Sequence, residues 1–125
     1  MLKIATIENL RTAAVLTGAY VYTTSKVSES FDVITLDIVF VIGSLTSAEI
    51  VIEFSQDDAT WFQQAFVADP SGGFRAISVS PMQMTASGSY SISFTPYHKY
   101  CRIGIKGTGT VTDSSASIDA TFVAS

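Results

Sequence analysis

The sequence predicts an all-β chain of about eight strands, arranged as an antiparallel sandwich or barrel. Three observations point there. Several segments are apolar at every second residue and polar between, as in Tyr90, Ile92 and Phe94 alternating with Ser89, Ser91 and Ser93, or Ile118, Ala120 and Phe122 alternating with Ser117, Asp119 and Thr121. That is the pattern of strands with one buried face. Turn-forming residues separate these segments at the spacing of a sandwich or barrel, and no helix-strand alternation calls for a parallel sheet. A length of 125 residues suits one domain, 1–125, able to bury a core without staples. Residues 1–24 read as an N-terminal arm plus a first strand.

Residues 3–7 begin as a short strand, and 8–16 follow as a brief helix capped by Asn9 or as irregular chain. Tyr20 and Tyr22 share one face of a strand over 19–24, and 25–30 make a polar connection. The strongest strand spans 31–42, with Ile34, Leu36, Ile38, Phe40 and Ile42 lining one face and the mixed set Val33, Thr35, Asp37, Val39 and Val41 the other. Such a mixed face is expected where a partner chain or another element covers its far end. A turn over 43–47 leads into a strand over 48–55, and the polar turn 56–60 joins it to 61–67 as a hairpin. A turn at Asp69, Pro70, Ser71, Gly72 and Gly73 leads to a strand over 74–79, and Pro81 belongs at an edge or bend. Strands over 89–95, 100–107 and 116–123 complete the chain. Phe40, Ile52, Phe54, Ile92, Phe94, Ile103 and Phe122 are expected to form the core between two sheets.

Hydrophobic residues make up 47% of the chain and charged ones only 14%. That is apolar for a small monomer, so part of the surface is expected to be subunit interface. A net charge of −4 opposes nucleic-acid binding, which rests on Lys and Arg neutralising phosphates. Residues 1–20 carry Lys3, Glu8 and Arg11 where a secretory signal needs an unbroken apolar run, so synthesis and folding in a cytoplasm are expected. The longest aliphatic or aromatic run, 38–42, is too short to span a bilayer as a helix.

No set of residues suggests catalysis. Cys101, the single cysteine, alternates with Arg102 and falls on the inward face with Ile103 and Ile105, while His98, the single histidine, is expected on the opposite face. There is no Gly-x-Ser-x-Gly elbow, and the Asp57 and Asp58 carboxylates are adjacent instead of facing each other across a cleft. Residues 107–110 have the glycines of a phosphate loop without its Lys-Ser/Thr and helix. Asp57, Asp58 and Asp69 are candidate ligands for a hard cation, but their spacing favours turn chemistry, so no metal or cofactor is expected. Trp61, Phe62, Phe66 and Phe74 form a candidate aromatic surface on which a sugar could stack, core packing being the commoner use of such residues. His98, Tyr100, Arg102 and Lys106 fall together on the outward face of a strand as a candidate docking surface for an acidic partner.

The segments Asn9-Leu10-Arg11-Thr12-Ala13-Ala14-Val15-Leu16-Thr17, Ser44-Leu45-Thr46-Ser47-Ala48-Glu49-Ile50, Val51-Ile52-Glu53-Phe54-Ser55-Gln56-Asp57 with Trp61-Phe62-Gln63, and Arg102-Ile103-Gly104-Ile105-Lys106-Gly107-Thr108-Gly109-Thr110-Val111 resemble those of small virion proteins of tailed bacteriophages. The resemblance spans nearly the whole chain, and its motifs mark strands and turns. It implies a jelly-roll sandwich serving as a capsid decoration protein that binds the major capsid protein across capsomers. Alternatives are a tail, neck or baseplate component and a carbohydrate-binding adhesion module on the virion. It carries over no catalytic residues, and a trimer is the favoured homo-oligomer.

Overall fold

The computed structural model describes residues 4–63, 82–96 and 98–124. Its ten strands are β1 (Ile4–Ala14), β2 (Val21–Tyr22), β3 (Lys26–Val27), β4 (Val33–Val41), β5 (Leu45–Ser55), β6 (Phe62–Gln63), β7 (Met82–Met84), β8 (Gly88–Phe94), β9 (Tyr100–Gly109) and β10 (Ser115–Ala124). One sheet has the order β1-β10-β4-β8, and the other runs β2-β9-β5-β6 with β3 also on β9 and β7 also on β5. The short strands occupy shared positions. β2 pairs with Ile105 and Gly104 of β9, and β3 lies beyond it on Cys101 and Tyr100. Likewise β6 pairs with Glu53 and Phe54 of β5 while β7 pairs with 48–50. Merging each couple leaves two four-position sheets. Successive strands mostly cross from one to the other, so the last strand, β10, closes between β1 and β4. That is jelly-roll order, with every described pair antiparallel.

Period-two alternation decides which side chains meet between the sheets. β4 contributes Ile34, Leu36, Ile38 and Phe40, and β10 contributes Ala116, Ile118, Ala120 and Phe122. Opposite them stand Ala48, Ile50, Ile52 and Phe54 of β5 with Cys101, Ile103 and Ile105 of β9, all buried. Phe54 and Phe94 meet edge to face across the layer, ring centroids 5.8 Å apart. Six of the seven expected core residues are buried, whereas Ile92 is only partly buried at the core margin. Leu16, Leu45 and Met84 are further core members that alternation within the expected strands did not single out.

Several boundaries differ from expectation. The segment 8–16 is neither helix nor irregular up to Ala14: it continues β1, paired to β10 through register shifts between Asn9 and Arg11 and between Arg11 and Ala14. Those bulges explain the missing alternation, because an extra residue switches the faces midway. Arg11 holds the distorted stretch, donating from Nε to the Ala116 carbonyl and from Nη2 to the carbonyls of Ala14 and Val15. The expected polar connection 25–30 contains β3 and the buried Ser28, whose hydroxyl donates to the His98 carbonyl at 2.9 Å. β5 begins at Leu45, inside the expected turn 43–47, and the short β7 was not expected. The hairpin expected over 61–67 is described only to Gln63, and the turn at 69–73, the strand 74–79 and Pro81 lie outside the described residues.

Two carboxylates fasten loops. Asp113 accepts from the Ser44 amide and hydroxyl at 2.8 and 2.9 Å, and Asp57 accepts from the Ser55 hydroxyl and from the amides of Ala59 and Thr60. Gly43 permits the first contact: its φ is +55°, and a Cβ there would lie 2.5 Å from the Asp113 carbonyl oxygen. The donated hydrogen bonds hold both carboxyls below their usual pKa. A depressed folded pKa means that the unfolded chain takes up protons first as pH falls. The stabilisation is therefore complete above the unfolded value of about 3.9 and is lost as pH drops through the lower folded values. Melting midpoints measured down a pH series should fall below about pH 4, and Asp57→Asn with Asp113→Asn should flatten that fall. Superimposable profiles for parent and double variant would count against the two caps.

Candidate functional site

The outer face of the second sheet carries the most organised set of polar and aromatic side chains. Register places Glu53 opposite Arg102, Val51 opposite Gly104 and Glu49 opposite Lys106, all pointing outward. Arg102 donates from Nε to Glu53 Oε1 at 2.8 Å, with Nη2 also 2.8 Å from that oxygen. Its guanidinium lies between two rings, 3.8 Å from the Tyr22 centroid and 4.3 Å from that of Trp61. Planar, weakly hydrated guanidinium suits such a slot better than ammonium. Tyr22 can lie across β9 because Gly104 has no side chain, for a Cβ there would come within 2.7 Å of the Tyr22 ring and 2.8 Å of Val51. Tyr20 stacks beyond Tyr22 with centroids 6.1 Å apart.

A second charged pair extends the cluster. Glu49 accepts from the Tyr20 hydroxyl at 2.8 Å, and Lys106 Nζ lies 3.6 Å from the same carboxylate oxygen and 5.1 Å from the Tyr20 ring. Burial, and then the bond to Glu49, raises the Tyr20 pKa, so the hydroxyl stays a donor.

Sequence reasoning placed Tyr100, Arg102 and Lys106 together, and they do share this outer face. They do not form a basic stripe, because Arg102 and Lys106 are each matched to a glutamate on β5 that lies next to it across the ladder. His98 is not on this face either. It precedes β9, where strand alternation has not begun, and its ring stacks on the inward-facing Phe54 at 5.2 Å and 18°, with Nδ1 buried and without a hydrogen-bond partner among the described residues. Of the expected aromatic surface, Trp61 joins the Arg102 stack, Phe62 is exposed at the start of β6, and Phe66 and Phe74 lie outside the described residues. Trp61 and Tyr22 each commit a ring face to Arg102, which leaves less room for a stacked sugar than free rings would. The signal that would have found Tyr22, Glu49 and Glu53 was cross-strand register, which one sequence does not supply.

The other candidates settle into structural roles. Cys101 is buried opposite Phe54, and burial pushes its thiol up to about 11, so the reactive thiolate is scarce at neutral pH. Asp57 caps its own turn, Asp58 adopts a φ of 60° there, and Asp69 lies outside the described residues. Among the described residues no three His, Cys, Asp or Glu side chains are grouped to hold a metal ion, and no helix is long and apolar enough to cross a membrane. Melting midpoints with chelator and with added calcium should coincide, since a folded-state site would raise the midpoint by mass action. A calcium-dependent rise would make ligands of the aspartates at 57 and 58.

No protein-family model matches the sequence, and no curated protein is similar to it in sequence. Solved structures are similar in fold. YomS, derived from the SPBc2 prophage, superposes with a TM-score of 0.62 at 15% identity, over 99% of this chain and 96% of YomS. The PBSX exported protein XepA gives 0.63 at 10% identity, over 96% of this chain but 37% of XepA. A subunit of the disulfide-linked pili that form Bacillus endospore appendages gives 0.56 at 13% identity, over 100% of this chain and 91% of its own. At these identities the likeness shows a shared fold.

Proposed function

We propose that this chain is a structural protein of a bacteriophage particle, a decoration protein that docks on the capsid across capsomers and stabilises the shell by adding buried area. The observation that carries the proposal is the Tyr22–Arg102–Trp61 stack on the outer face of a closed jelly roll. Trp, Tyr and Arg are the side chains that dominate interface hot spots, and here they are held in place before any partner arrives. Likeness to prophage-derived YomS over nearly the full length of both chains supports a place in the virion. The partners are the major capsid protein or other virion proteins, reached after synthesis in the host bacterial cytoplasm. Catalysis, a cofactor, nucleic acid and a membrane have no part in it.

The pilus likeness favours a second reading, a tail, neck or baseplate component, because that neighbour belongs to pili, which are extended assemblies. Quantifying the chain in purified particles separates the two. A copy number that follows the number of capsomers is expected for decoration, and a handful of copies per particle would transfer the chain to the tail or neck. Purified chain should also bind particles lacking it with little dependence on salt, because the Arg102 and Lys106 charges are already matched. Trp61→Ala should weaken that binding, and unchanged binding by this variant would remove the stack from the docking surface.

A further inference from the structure

The narrow side of the sandwich bounded by β1 and by β2 with β3 is chemically unlike the rest of the surface. Among the described residues, the strands bounding it and the chain after β1 carry Ile4, Ile7, Val15, Val21, Tyr22 and Val27, six of nine large hydrophobic side chains left exposed, and Ile7 is 75% exposed. The two sheet edges meet there: Glu8 of β1 reaches Lys26 of β3 at 3.8 Å, and Leu10 and Arg11 share a small pocket with Val21, Tyr22 and Thr23. β1 ends its sheet, so one row of its backbone groups has no partner strand among the described elements. Its first half is also the regular half, in unbroken register with β10 from Ile4 to Asn9.

Exposed edges invite pairing, and proteins usually block it with proline, lysine, inward charge or bulges. Residues 4–9 contain no proline and no lysine, their single charge, Glu8, is engaged by Lys26 in its own chain, and the first bulge comes only at Leu10. The opposite edge of this sheet, β8, is shorter, alternates with serines and exposes no large hydrophobic side chain.

We infer that this side binds a second copy of the chain, the two β1 strands pairing antiparallel across a two-fold axis to join their sheets. Self-pairing fits the sequence. A two-fold axis perpendicular to the sheet keeps each face on its own side, and centred on Ile7 it sets that residue against the second copy's Ile7, with Thr6 facing Glu8 and Ala5 facing Asn9 inside the regular stretch. No two charges are opposed over residues 5–9, and the most exposed apolar side chain covers itself. An ordinary interface takes about 800 Å² from each partner, a modest share of a surface of 7033 Å², so one side is enough. Pairing of this kind gives a dimer, where the resemblance alone favoured a trimer. It is independent of where on a particle the chain sits.

The test uses the full chain. Light scattering at roughly 100 μM, where an association with a micromolar constant is nearly complete, should give a dimer. Ile7→Lys should raise the dissociation constant by roughly tenfold or more while leaving the circular dichroism spectrum unchanged. Ile7→Cys should form an intermolecular disulfide under mild oxidation, since facing side chains of an antiparallel pair lie within bridging distance. Val39→Cys, also exposed but inside the sheet, should not. If Ile7→Lys fails to fold, the cysteine pair decides. A monomeric parent, an oligomer that survives Ile7→Lys, or cross-linking through Val39→Cys alone would overturn the proposal, as would a parent that is monomeric yet loses particle binding on Ile7→Lys.

Discussion

Truncating Phe40 or Ile103 to alanine is expected to lower stability by about 2–5 kcal/mol, a large part of what a domain of this size has to spare. Both side chains are 1% exposed and lie between the sheets, Phe40 from β4 and Ile103 from β9. The cost has two parts, the lost transfer of apolar surface from water and the cavity left where two sheets cannot close on the gap. Ile92→Ala supplies the internal comparison. Ile92 alternates as perfectly as Phe94, but on edge strand β8 it is only partly buried, so its truncation should cost less than half as much. Denaturant melts of the three variants check the ranking, and a loss at Ile92 equal to that at Ile103 would contradict the packing described here.

Arg102→Glu is expected to cost about 2–4 kcal/mol, from the charge-assisted hydrogen bonds to Glu53 and the stacking between Tyr22 and Trp61. The substituted carboxylate would also face Glu53 directly. Arg102→Lys keeps the charge but loses the planar fork, so it should recover less than half of the loss. Combining Arg102→Glu with Glu53→Arg should recover more than the lysine does, because the cross-strand pair is restored with its sign exchanged. Double-glutamate replacement of Arg102 and Lys106 is therefore a poor probe of docking. It would damage the sheet face itself, and Trp61→Ala is the cleaner variant.

Alternation located β4, β8, β9 and β10 within a residue or two of their observed ends, because each buries one face and exposes the other. It failed at β1 for the same physical reason. That strand is an edge, open on much of both faces, and its bulges reverse the inward and outward sets midway. Short pairings such as β2, β3 and β7 carry too few residues for a period, and they exist because β9 and β5 offer backbone groups to them. Within the candidate site, the outward positions of Arg102 and Lys106 were legible from alternation alone. Their neutralisation by Glu53 and Glu49 was not, since it depends on which residues of β5 and β9 lie opposite each other. His98 was misplaced because alternation was carried two residues ahead of Tyr100, where the strand begins.

An averaged density map of intact particles, compared with particles lacking this chain, tests the virion role most directly. Density of jelly-roll size over every capsomer, with the outer face of the β9–β5 sheet turned toward the shell, is the predicted result. Density confined to one vertex or to the tail would contradict decoration, and particles with no added density anywhere would contradict a structural role in the virion.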